Sequence, residues 1–128
     1  MKWKIVFKEE WKQVVINEEQ WDYEVSNMGR IRNSKTGRLR KLRDNKKGYL
    51  HVCLHKNRKL KWMTIHKLVG LMFIENDDPV NKTQLNHINE IRTDNRAENL
   101  QWVTPKQNCN HGTRNKRISM SRKNKKQQ

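Results

Sequence analysis

The sequence predicts an α+β fold: a small twisted antiparallel β-sheet module, then a strand–loop–strand–helix hairpin, then a basic tail. Three observations lead there. Short runs between Arg30 and Ile65 alternate polar and apolar residues and are separated by turn residues, the period-two mark of half-buried strands. The period turns helical over His66–Ile74. Two apolar runs, Leu85–Ile88 and Leu100–Val103, then bracket a polar loop and precede the helix-start pair Thr104-Pro105.

The elements follow in chain order. Short strands are expected at Lys4–Phe7 and Tyr23–Val25, with Trp11 and Trp21 as core anchors, because each aromatic buries a large area. Ser26-Asn27-Met28-Gly29 reads as a turn in which Gly29 takes positive φ. Arg30-Ile31-Arg32 and Arg38-Leu39-Arg40, joined by the turn Asn33–Gly37, predict a hairpin. Ile31 and Leu39 should face one way and the four arginines the other. After the turn Asn45–Gly48, a strand puts Leu50, Val52 and Leu54 on one face and Tyr49, His51, Cys53 and His55 on the other. Leu60–Ile65 is a further strand. Thr64 is the expected N-cap of a helix whose stripe is Ile65, Val69, Met72 and Phe73, and Asn76–Pro79 ends it. The last helix, from Pro105, is cut short by Gly112, and residues 113–128 lack any apolar period.

At 128 residues the chain suits one modest domain or two small modules sharing a core. Apolar residues make up 33%, so that core is small, and five Trp, two Phe and two Tyr partly compensate. No apolar run approaches the roughly 20 residues that span a bilayer. The first residues, MKWKIVFKEEW, hold too short an apolar stretch for a signal peptide. Cys53 and Cys109 stand far apart in sequence and fit reduced thiols. We therefore expect a cytoplasmic protein with no membrane partner.

The net charge is +16, and its distribution matters more than its total. Residues 26–62 carry thirteen Lys/Arg against one Asp, and residues 113–128 carry seven Lys/Arg and no acid. Residues 63–112 between them hold five Lys/Arg against six Asp/Glu and are nearly neutral. Two basic blocks flanking a neutral centre attract a polyanion through counterion release. In the first block the cations alternate with strand formers, so Arg30, Arg32, Arg38, Arg40, Lys41 and Arg43 are candidates to contact a nucleic-acid backbone. The competing reading is a solvated hairpin face.

Chemistry concentrates between Leu85 and His111. The paired strands bring His87 near Asn99, and the helix from Pro105 brings Asn108 over the same spot. Asn108 and His111 are three apart and share a helix face. One imidazole and at least two amides thus share a pocket. A histidine neutral near pH 7 suits a general base, and amide oxygens suit a hard cation such as Mg²⁺.

On Asn86-His87-Ile88 and Glu98-Asn99-Leu100-Gln101-Trp102-Val103-Thr104 the segment resembles the HNH endonucleases, nearest to the phage and intron-encoded homing type. The resemblance implies a ββα-metal hairpin. His87 falls on the general base and Asn99 on the asparagine that braces the loop and orients it. Asn108 and Asn86 fall on the metal positions, although relatives often carry aspartate where this chain has Asn86. One divalent ion per site, Mg²⁺ or Mn²⁺, is implied. Upstream, Glu10-Trp11-Lys12 and Tyr23–Arg32 resemble the modular DNA-binding domain often fused ahead of this nuclease. The expected organisation is residues 1–62 as the antiparallel β DNA-binding module, 63–112 as the HNH domain and 113–128 as a basic tail. Thr113–Arg117 resembles the start of the family's C-terminal extension. The implied function is metal-dependent hydrolysis of double-stranded DNA. A monomer with no small-molecule cofactor, encoded by a phage or mobile element, would nick one strand and leave 5′-phosphate and 3′-hydroxyl ends. The alternative is a non-catalytic nucleic-acid-binding module that keeps the fold.

His51 and His55 are expected to face a DNA groove. With Cys53 they lie too far apart on one strand for a compact zinc site, and no Cys-x-x-Cys pair completes one. His111, Arg114, Lys116 and Arg117 are further candidate DNA contacts. His66, at a helix start, reads as a packing or capping residue. Trp102 reads as core.

Overall fold

The computed structural model describes residues 8–109. The predicted strand Lys4–Phe7, the tail 113–128 and the candidates His111, Arg114, Lys116 and Arg117 lie outside them. No helix among the described residues is long and apolar enough to cross a membrane.

Three small antiparallel sheets surround one helix. The first runs β1 (Trp11–Ile16), β2 (Glu19–Ser26) and β3 (Ile31–Asn33). The second runs β4 (Arg43–Asp44), β5 (Leu50–Lys56) and β6 (Lys59–Thr64). The third pairs β7 (Gln84–His87) with β8 (Leu100–Val103). Helix α1 (Ile65–Phe73) packs against β1, β2, β5, β6, β7 and β8, and α2 (Pro105–Cys109) lies on β7 and β8.

Strand β1 does not stand out in the sequence because its alternation is broken. The β1–β2 register shifts between Gln13 and Val15, so Val14 and Ile16 are buried while Val15 is exposed. Two-residue turns at Asn17-Glu18 and Asn57-Arg58 close the β1–β2 and β5–β6 hairpins with every φ positive, the geometry that matches strand twist.

Two expectations fail here. Trp21 is buried as predicted, but Trp11 is half-buried, its ring faced by the Arg32 guanidinium at 3.9 Å. The predicted hairpin face also divides. The bridge joins Arg32 to Leu39, which puts Ile31 on the same side as Arg40. Ile31 is therefore buried and Leu39 is half-exposed at 51%.

A single cluster of apolar side chains joins β1, β2, β5 and α1 to β8, from Val14 and Trp21 through Leu54 and Leu68 to Leu100. A boundary at residue 62 runs through β6, and one core serves both sides of it. Helix α1 forms because Ile65, Leu68 and Val69 recur at helical spacing and are fully buried. Thr64 takes the N-cap position but makes no side-chain capping bond. Gly70 sits where α1 meets β7, and a Cβ there would lie 2.4 Å from Leu85 Cδ1. That missing side chain lets the helix lie close to the strand carrying His87.

Candidate active site

Strand β7 ends on Asn86 and His87, both 6% exposed. Its register against β8 pairs Asn86 with Gln101 and His87 with Leu100, so the two side chains point to opposite faces. The loop between β7 and β8 is held by Asn99. Its Nδ2 donates to Asn89 Oδ1 at 2.9 Å and to the Asp94 carbonyl at 2.9 Å, and its Oδ1 accepts from Asn89 N at 3.0 Å. Both ends of the Asn99 amide are thus occupied within the loop, and none of these bonds reaches His87. Asp94 adds a second tie, accepting from Asn89 Nδ2 at 2.8 Å and from Arg96 Nε and Nη2 at 2.8 Å each. Those guanidinium bonds hold the Asp94 pKa down to about 2.

The ring of His87 meets Asn95 instead. Its Nε2 lies 2.8 Å from Asn95 Oδ1. Burial lowers the His87 pKa below the ordinary histidine value, opposed by the Asn95 hydrogen bond and the Asp94 carboxylate. His87 is thus neutral at pH 7. His66 lies beside it with ring centroids 5.1 Å apart, and Tyr49 packs on both, at 5.2 Å from His66 and 5.9 Å from His87. Burial pushes the His66 pKa down to about 4, helped by repulsion from His87 and Lys67. His66, Tyr49 and Asn95 are site residues that sequence reasoning missed. Their proximity is made by tertiary packing of α1, β5 and the loop, which leaves no periodic signal.

Helix α2 presents Asn108. Thr104 and Gln107 cap it reciprocally: Gln107 N donates to Thr104 Oγ1 at 3.1 Å, and Thr104 N donates to Gln107 Oε1 at 3.0 Å. Asn108 Nδ2 donates to Gln84 Oε1 at 2.8 Å, on the β7 face that Asn86 also occupies. A cleft of about 260 Å³ is lined by Tyr49, His66, Lys67, Gln84, Trp102 and Asn108. Trp102 is only half-buried, and its Nε1 donates to the Ile74 carbonyl.

Among the described residues, the buried side-chain polar atoms lacking a hydrogen-bond partner are His66 Nδ1, Asn86 Nδ2 and Asn95 Nδ2. All three belong to this site. Unpartnered buried polar groups cost about 1–3 kcal/mol each, so their concentration marks a place built to meet something else.

The residues present accept a metal ion only in a particular way. No three His, Cys, Asp or Glu side chains come together as a ligand set among the described residues. Asp94 is taken by Arg96. What remains is the oxygens of two amides: Asn86, whose unpartnered atom is the donor Nδ2, and Asn108, whose Oδ1 carries no hydrogen bond among the described residues. Neutral oxygens suit a hard divalent cation that takes its other ligands from phosphate and water.

The candidate DNA-contact residues fall into two groups. Arg30 is paired with Glu9, Arg32 with Glu24, and Arg40 is tied to Tyr23 Oη and the Cys53 carbonyl, each at 3.1 Å. Arg38, Lys41 and Arg43 are exposed. Arg40, Lys41, Arg43, His51 and His55 line a concave surface of about 360 Å³ together with exposed Trp62, whose ring lies 4.7 Å from that of His51.

Comparison with known proteins agrees with this geometry. A family model described as the NUMOD4 motif matches residues 9–55, and one described as HNH endonuclease matches residues 78–109. The solved structure titled "DNA binding and cleavage by the HNH homing endonuclease I-HmuI" superposes with a TM-score of 0.67 at 31% identity. It covers 88% of this chain and 59% of that one. The chain belongs to the HNH homing endonuclease family. An uncharacterized HNH endonuclease of Acanthamoeba polyphaga mimivirus is 40% identical over 114 residues, 88% of this chain and 28% of the relative. The DNA endonuclease I-HmuI of Bacillus phage SP01 is 33% identical over 99 residues, 77% of this chain and 55% of the relative. The chain therefore spans between about a quarter and about half of the curated relatives it matches. The HNH match ends inside α2, so it takes in His87, Asn95, Asn99 and Asn108.

Proposed function

We propose that this chain is a metal-dependent DNA endonuclease that hydrolyses one phosphodiester bond per binding event. The observation that carries the reading is a buried imidazole at the end of β7, tied at Nε2 to Asn95, on a hairpin that also carries the amides Asn86 and Asn108. His87 takes a proton from water as it attacks phosphorus in line with the departing 3′ oxygen. The P–O3′ bond breaks, leaving a 5′-phosphate and a 3′-hydroxyl. Asn108 and Asn86 would hold the Mg²⁺ or Mn²⁺. When bound, that ion stabilises charge on the phosphate and the leaving oxygen. Asn99 and Asp94 keep the loop in shape, and burial keeps His87 ready to accept a proton. Double-stranded DNA is the proposed partner, gripped by the exposed Arg38, Lys41 and Arg43. A monomer has one such site, which favours a nick over a double-strand break.

A supercoiled-plasmid assay tests this. Conversion to open circle should need Mg²⁺ or Mn²⁺, stop with chelator, and vanish in His87→Ala while DNA affinity persists. Binding without nicking, across metals and sequences, would favour the non-catalytic alternative, for which the amide at Asn86 is the supporting feature.

A further inference from the structure

We propose that Asn95 is the positioning residue of the catalytic histidine, and that the Ser26–Gly29 turn of the N-terminal module holds Asn95 in place. This rests on the nuclease reading above. Asn95 is 3% exposed and its Oδ1 lies 2.8 Å from His87 Nε2. A carbonyl oxygen can only accept, so Nε2 carries the ring proton and Nδ1 keeps the lone pair that receives a proton from water. The reverse arrangement would spend Nε2 as an acceptor and leave Nδ1 protonated, with no lone pair for the reaction.

The turn seats Asn95 from behind. Gly29 has φ +85°, and a Cβ there would lie 3.0 Å from Asn95 Cβ and 3.3 Å from the Asn95 carbonyl oxygen. Only a residue without a side chain allows that approach in that conformation. Ala97 N donates to the Asn27 carbonyl at 2.8 Å, two residues beyond Asn95. Ser26, fully buried, stiffens the turn: its Oγ accepts from Met28 N at 3.2 Å and Arg30 N at 3.0 Å. A second tie from the same side comes from Arg92, which donates to the Lys47 carbonyl at 2.8 Å and lies over the Tyr49 ring. The N-terminal module thus forms the back wall of the loop that aims His87.

The test uses the ¹⁵N-labelled full chain without DNA, then nicking with Mg²⁺. Wild type should show a slowly exchanging His87 Nε2–H resonance and an unprotonated Nδ1 at neutral pH. Asn95→Ala should lose that resonance and slow nicking at saturating DNA about tenfold or more, with DNA affinity changed less than about twofold. Asn95→Asp retains an acceptor and should keep the resonance and most of the rate. Gly29→Ala should move both readouts toward Asn95→Ala. A wild-type ring protonated at Nδ1 overturns the proposal, as does an unchanged resonance in Asn95→Ala. The wild-type signature decides the matter even where a variant does not fold. If wild type shows that signature but fails to nick, the nuclease reading falls and the Asn95–His87 contact stands.

Discussion

Acid should unfold this protein through a buried histidine before it protonates the carboxylates with lowered pKa. His66 has a pKa near 4 in the folded chain against 6.5 in the unfolded one, chiefly because burial disfavours its cation. Between those values the unfolded chain binds a proton that the folded chain refuses. Stability from this group is therefore complete above pH 6.5 and is lost as pH falls toward 4. A gap of about two and a half pH units corresponds to about 3 kcal/mol in full, of which roughly 2 kcal/mol disappears between pH 7 and pH 4.5. His87 shifts the same way and adds to the slope. The lowered carboxylates act later: Asp94, held to about 2 by Arg96, loses its contribution only below about pH 4. Urea unfolding followed by tryptophan fluorescence at half-unit pH steps measures this directly. His66→Gln removes the titration, so its stability should fall with acid by roughly 2 kcal/mol less than that of wild type over that window. Parallel curves for the two proteins would refute the argument. The same window matters for catalysis, because the acid that charges His66 also begins to protonate the proposed base beside it.

Three more outcomes are expected. Asn86→Asp supplies a charged oxygen at a proposed metal position, so half-maximal nicking should need about tenfold less Mg²⁺; no change in the metal titration would remove Asn86 from the ligand set. Gly70→Ala forces Leu85 away from α1, and overpacking of about 1–3 kcal/mol should outweigh a helix-propensity gain of about 1 kcal/mol; a raised urea midpoint would contradict the close helix–strand approach. Raising salt from 50 to 200 mM should weaken DNA binding by about tenfold or more, and a flat salt profile would rule out grip through the basic block.

Much of this fold was legible because its signals are local. The period change at His66 marked the strand-to-helix switch to within a residue, and Thr104-Pro105 marked the start of α2. The role of Asn99 as a brace came from the resemblance to the HNH endonucleases and not from its position alone. What stayed hidden depends on contacts across the chain. Strand β1 was lost to a register shift that breaks its alternation. Leu39 looked like a partner of Ile31, but the bridge pairs it with Arg32, one residue away, and one residue reverses a face. The charge block likewise overstated the free cations, since Arg30 is paired with Glu9, 21 residues away, and Arg32 with Glu24 opposite it on β2. His66, Tyr49 and Asn95 reach His87 from three separate elements, and nothing in their own neighbourhoods announces it.

The shared core bears on how the two segments work together. Two sequence patterns with separate identities, one ending at residue 55 and one beginning at residue 78, suggest a DNA grip joined to a cutter. The packing joins them through one core. Val14, Trp21 and Val25 share one core with Leu68 and Leu100, so the sheet that should bind DNA and the hairpin that should cut it are stable together. The shared core is also anisotropic. It is apolar around α1 and turns polar at the end of β7, where the unpartnered atoms of His66, Asn86 and Asn95 collect. Groups of that kind lower stability unless a ligand completes them. Their neighbours include the cations Lys67 and Arg92 beside amides and imidazoles, so the site itself can draw in a phosphate. The basic surfaces would add to that affinity, while the hairpin contributes geometry. A cutter with no carboxylate in its proposed metal set would assemble fully only when a phosphodiester brings its own oxygens, which ties hydrolysis to correct docking on DNA.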